Sequence, residues 1–282
     1  MKIGLIDVDS KIPNLALMKL KTYYPDAKWA YPINYNEFDL LYASSIFNFS
    51  DKEWVSEKAI KGGTGYYVDR KLPEDVEICQ PDYSLYPDTK ISLQKYSSGC
   101  IRKCSFCVVP QKEGQIKSCE PMNLNPIGEW IYLLDNNFFA SPNWKESINH
   151  LIGCNQPVQF EGVDIRIMTD EMMKYLLMIK VKNQTYHTAW DNPKDNIPEK
   201  IKYLIPKNKR YKFMFYVLIG FSTTKEEDLY RVNMLSELGV NPYVMPYNKS
   251  NNYQRHFARW VNHKAVFKSC TFQEYLGGKN DR

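Results

Sequence analysis

Three of the chain's seven cysteines, Cys100, Cys104 and Cys107, lie within eight residues of one another in the stretch YSSGCIRKCSFCVVPQKEG, residues 96–114. Seven cysteines scattered over this length would match the spacing C-x3-C-x2-C only about 0.004 times by chance. A structural zinc site wants four ligands, usually two cysteine pairs or a cysteine–histidine set. No fourth ligand stands at such a spacing: Cys119 comes twelve residues after Cys107, and the first histidine of the chain is His150. Clusters that only carry electrons also use four cysteines as a rule. Three thiolates on one short loop therefore leave a metal position open, and an open position is what a catalytic metal needs.

Disulfides are the other use of clustered cysteines. The N-terminal MKIGLIDVDS carries an apolar run of only about four residues, too short for a secretory leader. No apolar run approaches the ~20 residues that cross a bilayer. A cytoplasmic protein with no membrane partner is expected, and there thiols stay reduced and serve metals or catalysis. The chain has 282 residues, 44% hydrophobic and 24% charged, enough for one large core or two modest domains. Its net charge of +5 is mild and reads as an ordinary solvated surface.

The elements that must position the cysteines alternate. KIGLIDV reads as a buried strand, NLALMKLKTYYP as a helix, FDLLYASSIF as a strand, DKEWVSEKAIKGG as a helix and TGYYVD as a third strand. A Pro-rich connector follows. From Ile91, ISLQKYS is a strand that runs straight into the cysteine loop. EWIYLLDNNFF, PVQFEGVDIR, QTYHTAW, YKFMFYVLIGF and NPYVMPY are the later strands. Between them NWKESINHLIG, TDEMMKYLLMI with a Thr169 cap, IPEKIKYLI and TTKEEDLYRVNMLSELG read as helices, and YQRHFARWVNHKAVF as a last one. The fourth of these has a Thr–x–x–Glu capping box, from Thr223 or from Thr224, and a stop at Gly239.

About six β/α steps predict an α/β fold with parallel strands, as an open or partial barrel, since eight would be needed for closure. The expected domains are a small α/β unit at 1–90, the partial barrel at 91–250 and a helical extension at 251–282. In such folds the site lies at the C-terminal ends of the strands. That rule selects Cys100 to Cys107, Asp135 to Asn137, Asp164 and Arg166, Asp191, Gly220 to Ser222, and Tyr247 to Asn248.

The cysteine motif, placed after the first strand of a partial barrel and with the aromatic Phe106 before its last cysteine, resembles the radical S-adenosyl-L-methionine (SAM) superfamily. The resemblance implies a 4Fe-4S cluster on Cys100, Cys104 and Cys107, with SAM on the iron that no cysteine holds. Reductive cleavage of SAM would then start hydrogen abstraction from a substrate. LLDNNFF resembles the D-D-N-F segment of the methylthiotransferase and cobalamin-type branch, with Asn136 where that segment has its middle Asp. It implies Asp135, Asn136 and Asn137 as SAM contacts. GVDIR resembles the G-x-D-x-R segment and implies Asp164 and Arg166, whose planar fork suits a carboxylate. VLIGF resembles the region lining the adenine and implies Gly220. The first 90 residues resemble a shortened flavodoxin-like, cobalamin-binding domain, without a histidine to ligate cobalamin. A low-potential flavodoxin- or ferredoxin-type electron donor is the implied partner. Nucleic acid, peptide and small metabolite stay open as substrate classes.

Other residues carry plainer expectations. Cys79, Cys119, Cys154 and Cys270 are expected as buried inert thiols. Val108 to Gly114 is expected to wall the cluster. GGTGYY reads as a turn before a strand. Asp191 is either a substrate contact or a helix cap, and His187 a packed strand residue. The C-terminal helix interleaves Arg255, Arg259 and Lys264 with Phe257, Trp260 and Phe267. Phe257, Trp260 and Val261 fall at the spacing of a docking face, against the alternative of nucleic-acid binding. A non-catalytic metal- or nucleic-acid-binding protein on the same fold is the competing function.

Overall fold

Strands made of short apolar runs need both faces covered, and parallel sheets flanked by helices supply that cover. The structure is a computed structural model that describes residues 1–280. It is mixed α/β with parallel sheets. The chain divides into two compact units, Met1–Asn136 with Ser141–Asn143, and Asn137–Ala140 with the chain from Trp144 on. Among the described residues no helix is long and apolar enough to cross a membrane.

In the first unit β1 (Ile3–Asp7), β2 (Lys28–Trp29), β3 (Leu40–Ser44) and β4 (Ile60–Gly62) form a parallel sheet in the order β2-β1-β3-β4. Helix α1 (Leu15–Tyr23) is capped by Asn14, whose side-chain oxygen accepts from the Leu17 N–H at 3.3 Å. Leu17, Met18 and Leu20 pack with Ile3 and Leu5, and the same cluster takes in Val76, Leu85 and Leu93. Val76 stands on α2 (Glu74–Glu77) in the connector. Leu93 stands on β5 (Ile91–Gln94), which pairs in parallel with β8 (Trp130–Leu133). Between them lie β6 (Ser97–Ser98), the one-turn helix α3 (Val109–Lys112) and β7 (Lys117–Ser118), β6 and β7 being antiparallel.

Two expectations fail in this unit. Residues 51–59 form turns where a helix is predicted, because Lys52 folds its ammonium back onto the carbonyls of Phe47 at 2.9 Å, Asn48 at 3.3 Å and Ser50 at 3.0 Å. The third predicted strand, TGYYVD, is a turn, and the residues just before it make β4 instead. Gly63 turns the chain there with φ 84°, and a Cβ on it would stand 2.3 Å from the Ser45 carbonyl oxygen.

The second unit holds α4 (Trp144–Gly153), β9 (Val158–Gln159), α5 (Asp170–Leu176), β10 (Tyr186–Ala189), α6 (Ile197–Leu204), β11 (Phe213–Ile219), α7 (Lys225–Glu237), β12 (Asn241–Pro246), α8 (Asn252–Asn262), α9 (Lys264–Ser269) and α10 (Phe272–Asn280). Strands β10, β11 and β12 are parallel in that order. Along β11, Phe213, Phe215, Val217 and Ile219 are buried while Met214, Tyr216 and Leu218 are half-buried, the period-2 pattern of a pleated strand. Thr224 and Glu227 close the capping box of α7, and Thr169 caps α5.

PVQFEGVDIR is a two-residue strand rather than a long one. Asp164 turns its side chain onto the Arg166 N–H at 3.2 Å, a local bond that competes with a sheet ladder. The last predicted helix breaks into α8 and α9 at His263, whose ring caps Val266 N–H at 3.4 Å. Phe257, Trp260 and Val261 are buried as a docking face requires, and Trp260 contacts the rings of Phe267 and Phe272.

One ion pair locks the strand ends of this unit to α7. Arg231 and Asp228, with side chains 0% and 1% exposed, meet at 2.6 Å. Arg231 also donates to the carbonyls of Trp190 and Asp191 at 2.9 Å and of Leu218 at 3.0 Å. Asp228 accepts from Thr223 at 2.6 Å and Tyr253 at 3.1 Å. Removing one partner strands the other charge in the core. Arg231→Ala is expected to lower unfolding stability by about 3–5 kcal/mol. Urea unfolding followed by circular dichroism measures it, and a loss under about 1 kcal/mol, the range of an exposed ion pair, would count against the lock.

Candidate functional site

The cysteine loop leaves β5 and returns through β7. Gln94 holds both backbone groups of Met122, accepting from its N–H at 3.0 Å and donating to its carbonyl. Asp135 stands just past β8, 4% exposed. Its carboxylate accepts from the Tyr96 N–H at 3.0 Å and from the Ser97 hydroxyl at 2.6 Å. Burial pushes its pKa up to about 6, although these hydrogen bonds pull the other way. The β6–β7 ladder follows, with Cys119 N–H donating to the Tyr96 carbonyl at 2.7 Å. Gly99 then turns with φ 82°, where a Cβ would stand 2.3 Å from the Gln115 carbonyl oxygen. No other residue fits there without moving backbone.

Beyond Gly99, Cys100 N–H donates to the Gly114 carbonyl at 3.2 Å, and Cys107 N–H to the Cys104 carbonyl at 3.0 Å. The sulfur of Cys100 accepts from the Arg102 N–H at 3.3 Å. Cys100, Cys104 and Cys107 carry no disulfide and line one cavity of about 310 Å³. Arg102, Lys103, Pro110, Gln111, Gly114 and Gln115 complete its wall. Of the segment Val108 to Gly114, Pro110, Gln111 and Gly114 line this cavity, whereas Phe106 is 36% exposed and does not. Among the described residues no three His, Cys, Asp or Glu side chains are drawn together as metal ligands. The thiols share a cavity without converging on one point.

Sequence reasoning passed over Glu113. Its Oε2 accepts from the Ser98 hydroxyl at 2.9 Å, the Gly99 N–H at 2.9 Å and the Asn136 amide at 3.0 Å, and lies 3.3 Å from the Lys95 ammonium. The side chain is 15% exposed. Burial would raise its pKa, but Lys95 and the Gly99 and Ser98 donors together hold it at about 2. No sequence signal marks Glu113, because its partners at 95–99 and 136 meet it only in the fold.

The other predicted contacts lie in the second unit. Asn137 donates to Asp164 at 3.4 Å. Arg166 grips Asp164 with two bonds, at 2.6 and 3.1 Å, and reaches Asp195 at 3.1 Å. Burial works against its charge, and the two carboxylates more than offset that. The guanidinium predicted to meet a ligand carboxylate is therefore already held by two of the protein's own. Gly220 turns the chain after β11 with φ 76° and borders a second cavity, about 680 Å³, with Thr223, Thr224, Lys225 and Asn251.

Asp191 is neither a helix cap nor exposed, since its carboxylate accepts from the Leu218 N–H at 3.1 Å and is raised by burial. His187 stacks on Tyr216, with centroids 5.5 Å apart, and burial lowers its pKa. Cys79, Cys119, Cys154 and Cys270 are half-buried rather than buried, and unbridged. No protein-family model matches this sequence, and no curated protein matches it.

The two loop carboxylates give opposite pH dependences. Glu113 is depressed from 4.5 to about 2, so its contribution is present above about pH 4.5 and is lost as pH falls toward 2. Asp135 is raised from 3.8 to about 6, so its contribution is full below about pH 3.8 and is lost as pH rises through 6. Urea midpoints taken from pH 3 to 7 for the native chain and for Asp135→Asn should converge in slope except between about pH 4 and 6, where only the native chain weakens. Identical slopes in that window would show that Asp135 titrates normally.

Proposed function

We propose that the protein is a radical SAM enzyme that holds a 4Fe-4S cluster on Cys100, Cys104 and Cys107. The observation that carries this reading is the sharing of one cavity by three unbridged thiols of a C-x3-C-x2-C motif, on a loop that begins a few residues after the parallel strand β5. Thiolates are the donors that iron–sulfur clusters take, so the donor set fits. When bound, such a cluster supplies the electron that cleaves SAM reductively to methionine and a deoxyadenosyl radical.

The protein's own residues bind, orient and shield. Pro110, Gln111 and Gly114 wall the thiols on one side. Asp135 serves the reading as a brace of the strand-to-loop junction, because its oxygens already face Tyr96 and Ser97. Arg166 serves as a cation whose fork is pre-set by Asp164. The finer fold in this reading is a partial (β/α)6 barrel of the radical SAM type, preceded by a small flavodoxin-like domain. The parallel pairing inside each unit supports it. A flavodoxin- or ferredoxin-type donor in the cytoplasm would deliver the electron. The buried aromatic face of α8 takes away the stacking platform on which a nucleic-acid-binding reading depended.

Protein purified and reconstituted without oxygen should be brown, hold about four irons per chain and form deoxyadenosine from SAM with a strong reductant. Cys104→Ala should lose iron and colour while its far-ultraviolet circular dichroism stays native. Zinc in place of iron, or iron-loaded protein that leaves SAM intact, would overturn the assignment.

A further inference from the structure

The loop that carries the three cysteines has little regular structure to hold it, since α3 is a single turn and β6 and β7 are two residues each. One side chain meets both of its ends. Glu113 sits at the end of the loop, and its Oε2 takes donors from Ser98 and Gly99 at the start, with the Lys95 ammonium beside them. The fourth donor is the Asn136 amide, from the segment that follows β8. Next to this clasp, Cys100 N–H donates to the Gly114 carbonyl. Hydrogen bonds to an ionised acceptor are about twice as strong as neutral ones, and here several converge in a largely buried place.

We propose that Glu113 is the positioning residue of the three-cysteine loop, a carboxylate clasp that joins the loop's ends and so keeps the three thiols on one cavity. An exposed ion pair with Lys95 alone would do little. Glu113 differs because backbone, hydroxyl, amide and ammonium donors from two separate stretches, residues 95–99 and Asn136, meet on it. The clasp also gives a reason for the amide at position 136. An Asp there would set a second carboxylate against Glu113, whereas Asn136 offers it a donor. The placement of the thiols stands on these bonds, and only the iron readout below rests on the proposed cluster.

The test is the rate at which N-ethylmaleimide labels each cysteine in the metal-free chain, read by mass spectrometry, with Cys154 and Cys270 as internal references. Glu113→Gln and Asn136→Asp should each speed labelling of Cys100, Cys104 and Cys107 about tenfold, the factor for one lost charged hydrogen bond, and leave the references unmoved. The two changes have opposite electrostatic effects on the thiols. Glu113→Gln removes a negative charge beside the loop, whereas Asn136→Asp adds one. Acceleration in both therefore reports an opened loop. The double variant restores a donor–acceptor pair and should return the rates toward native. Unchanged rates in the single variants overturn the proposal, as does equal acceleration at Cys154 and Cys270. In reconstituted protein, a chelator should strip iron from Glu113→Gln about tenfold faster than from the native chain. A native chain that takes up no iron would end the cluster reading, and the labelling result would still decide the clasp.

Discussion

Two carboxylates shape a loop that could not shape itself. Ordering each residue of such a segment costs about 1–2 kcal/mol of backbone entropy, and α3, β6 and β7 are too short to offset it. Asp135 fixes the entry through Tyr96 and Ser97, and Glu113 ties the entry to the exit. The two acids reach opposite ionisation behaviour, Asp135 buried and Glu113 half-buried. Asp135 meets only neutral donors among its hydrogen-bond partners, so burial dominates and raises it to about 6. Glu113 has an ammonium beside it as well, and is held at about 2. Everything placed on the loop, the three thiols first, inherits its position from this arrangement.

The second unit solves a related problem with the opposite charge. Carbonyls at the ends of parallel strands need donors once the ladder stops. Arg231 gives its fork to the carbonyls of Trp190, Asp191 and Leu218, and Asp228 compensates its charge. A fully buried pair of this kind is a poor source of net stability. What it supplies is definition, because it fixes where the ends of β10 and β11 stand relative to α7. Strand ends are where α/β folds place their chemistry.

Much of the fold was legible because long elements carry redundant signals. β11 alternates over seven residues, and α7 has both a capping box and a terminal glycine. The segment at 51–59 misled because the glycines that follow it, Gly62 and Gly63, read as a helix stop, while in the structure Lys52 reaches back to three carbonyls. PVQFEGVDIR misled because periodicity does not see that the chain leaves the sheet after Gln159, and further on the Asp164 side chain takes up the Arg166 N–H. At the candidate site, the cysteines declare themselves by spacing. Glu113 does not, since its meaning depends on residues 95 to 99, 113 and 136 coming together. Asp135 was found as a residue but not in its posture, because the side that a carboxylate faces is a tertiary fact.

The state of the loop also bears on how a metal would enter it. Its ends are clasped, and within it short spans are held by local turns, Cys107 to Cys104 and Lys112 to Val108. The thiols line one cavity but do not yet meet. Under the cluster reading this division is economical in physical terms. Fixed ends keep the entropy of closure out of the binding step. A middle built of short turns would let Cys100, Cys104 and Cys107 adjust to a cluster with only a small rearrangement. A loop open at its ends would draw on the cluster's binding energy to find its fold, and a loop rigid throughout would need its thiols converged from the start.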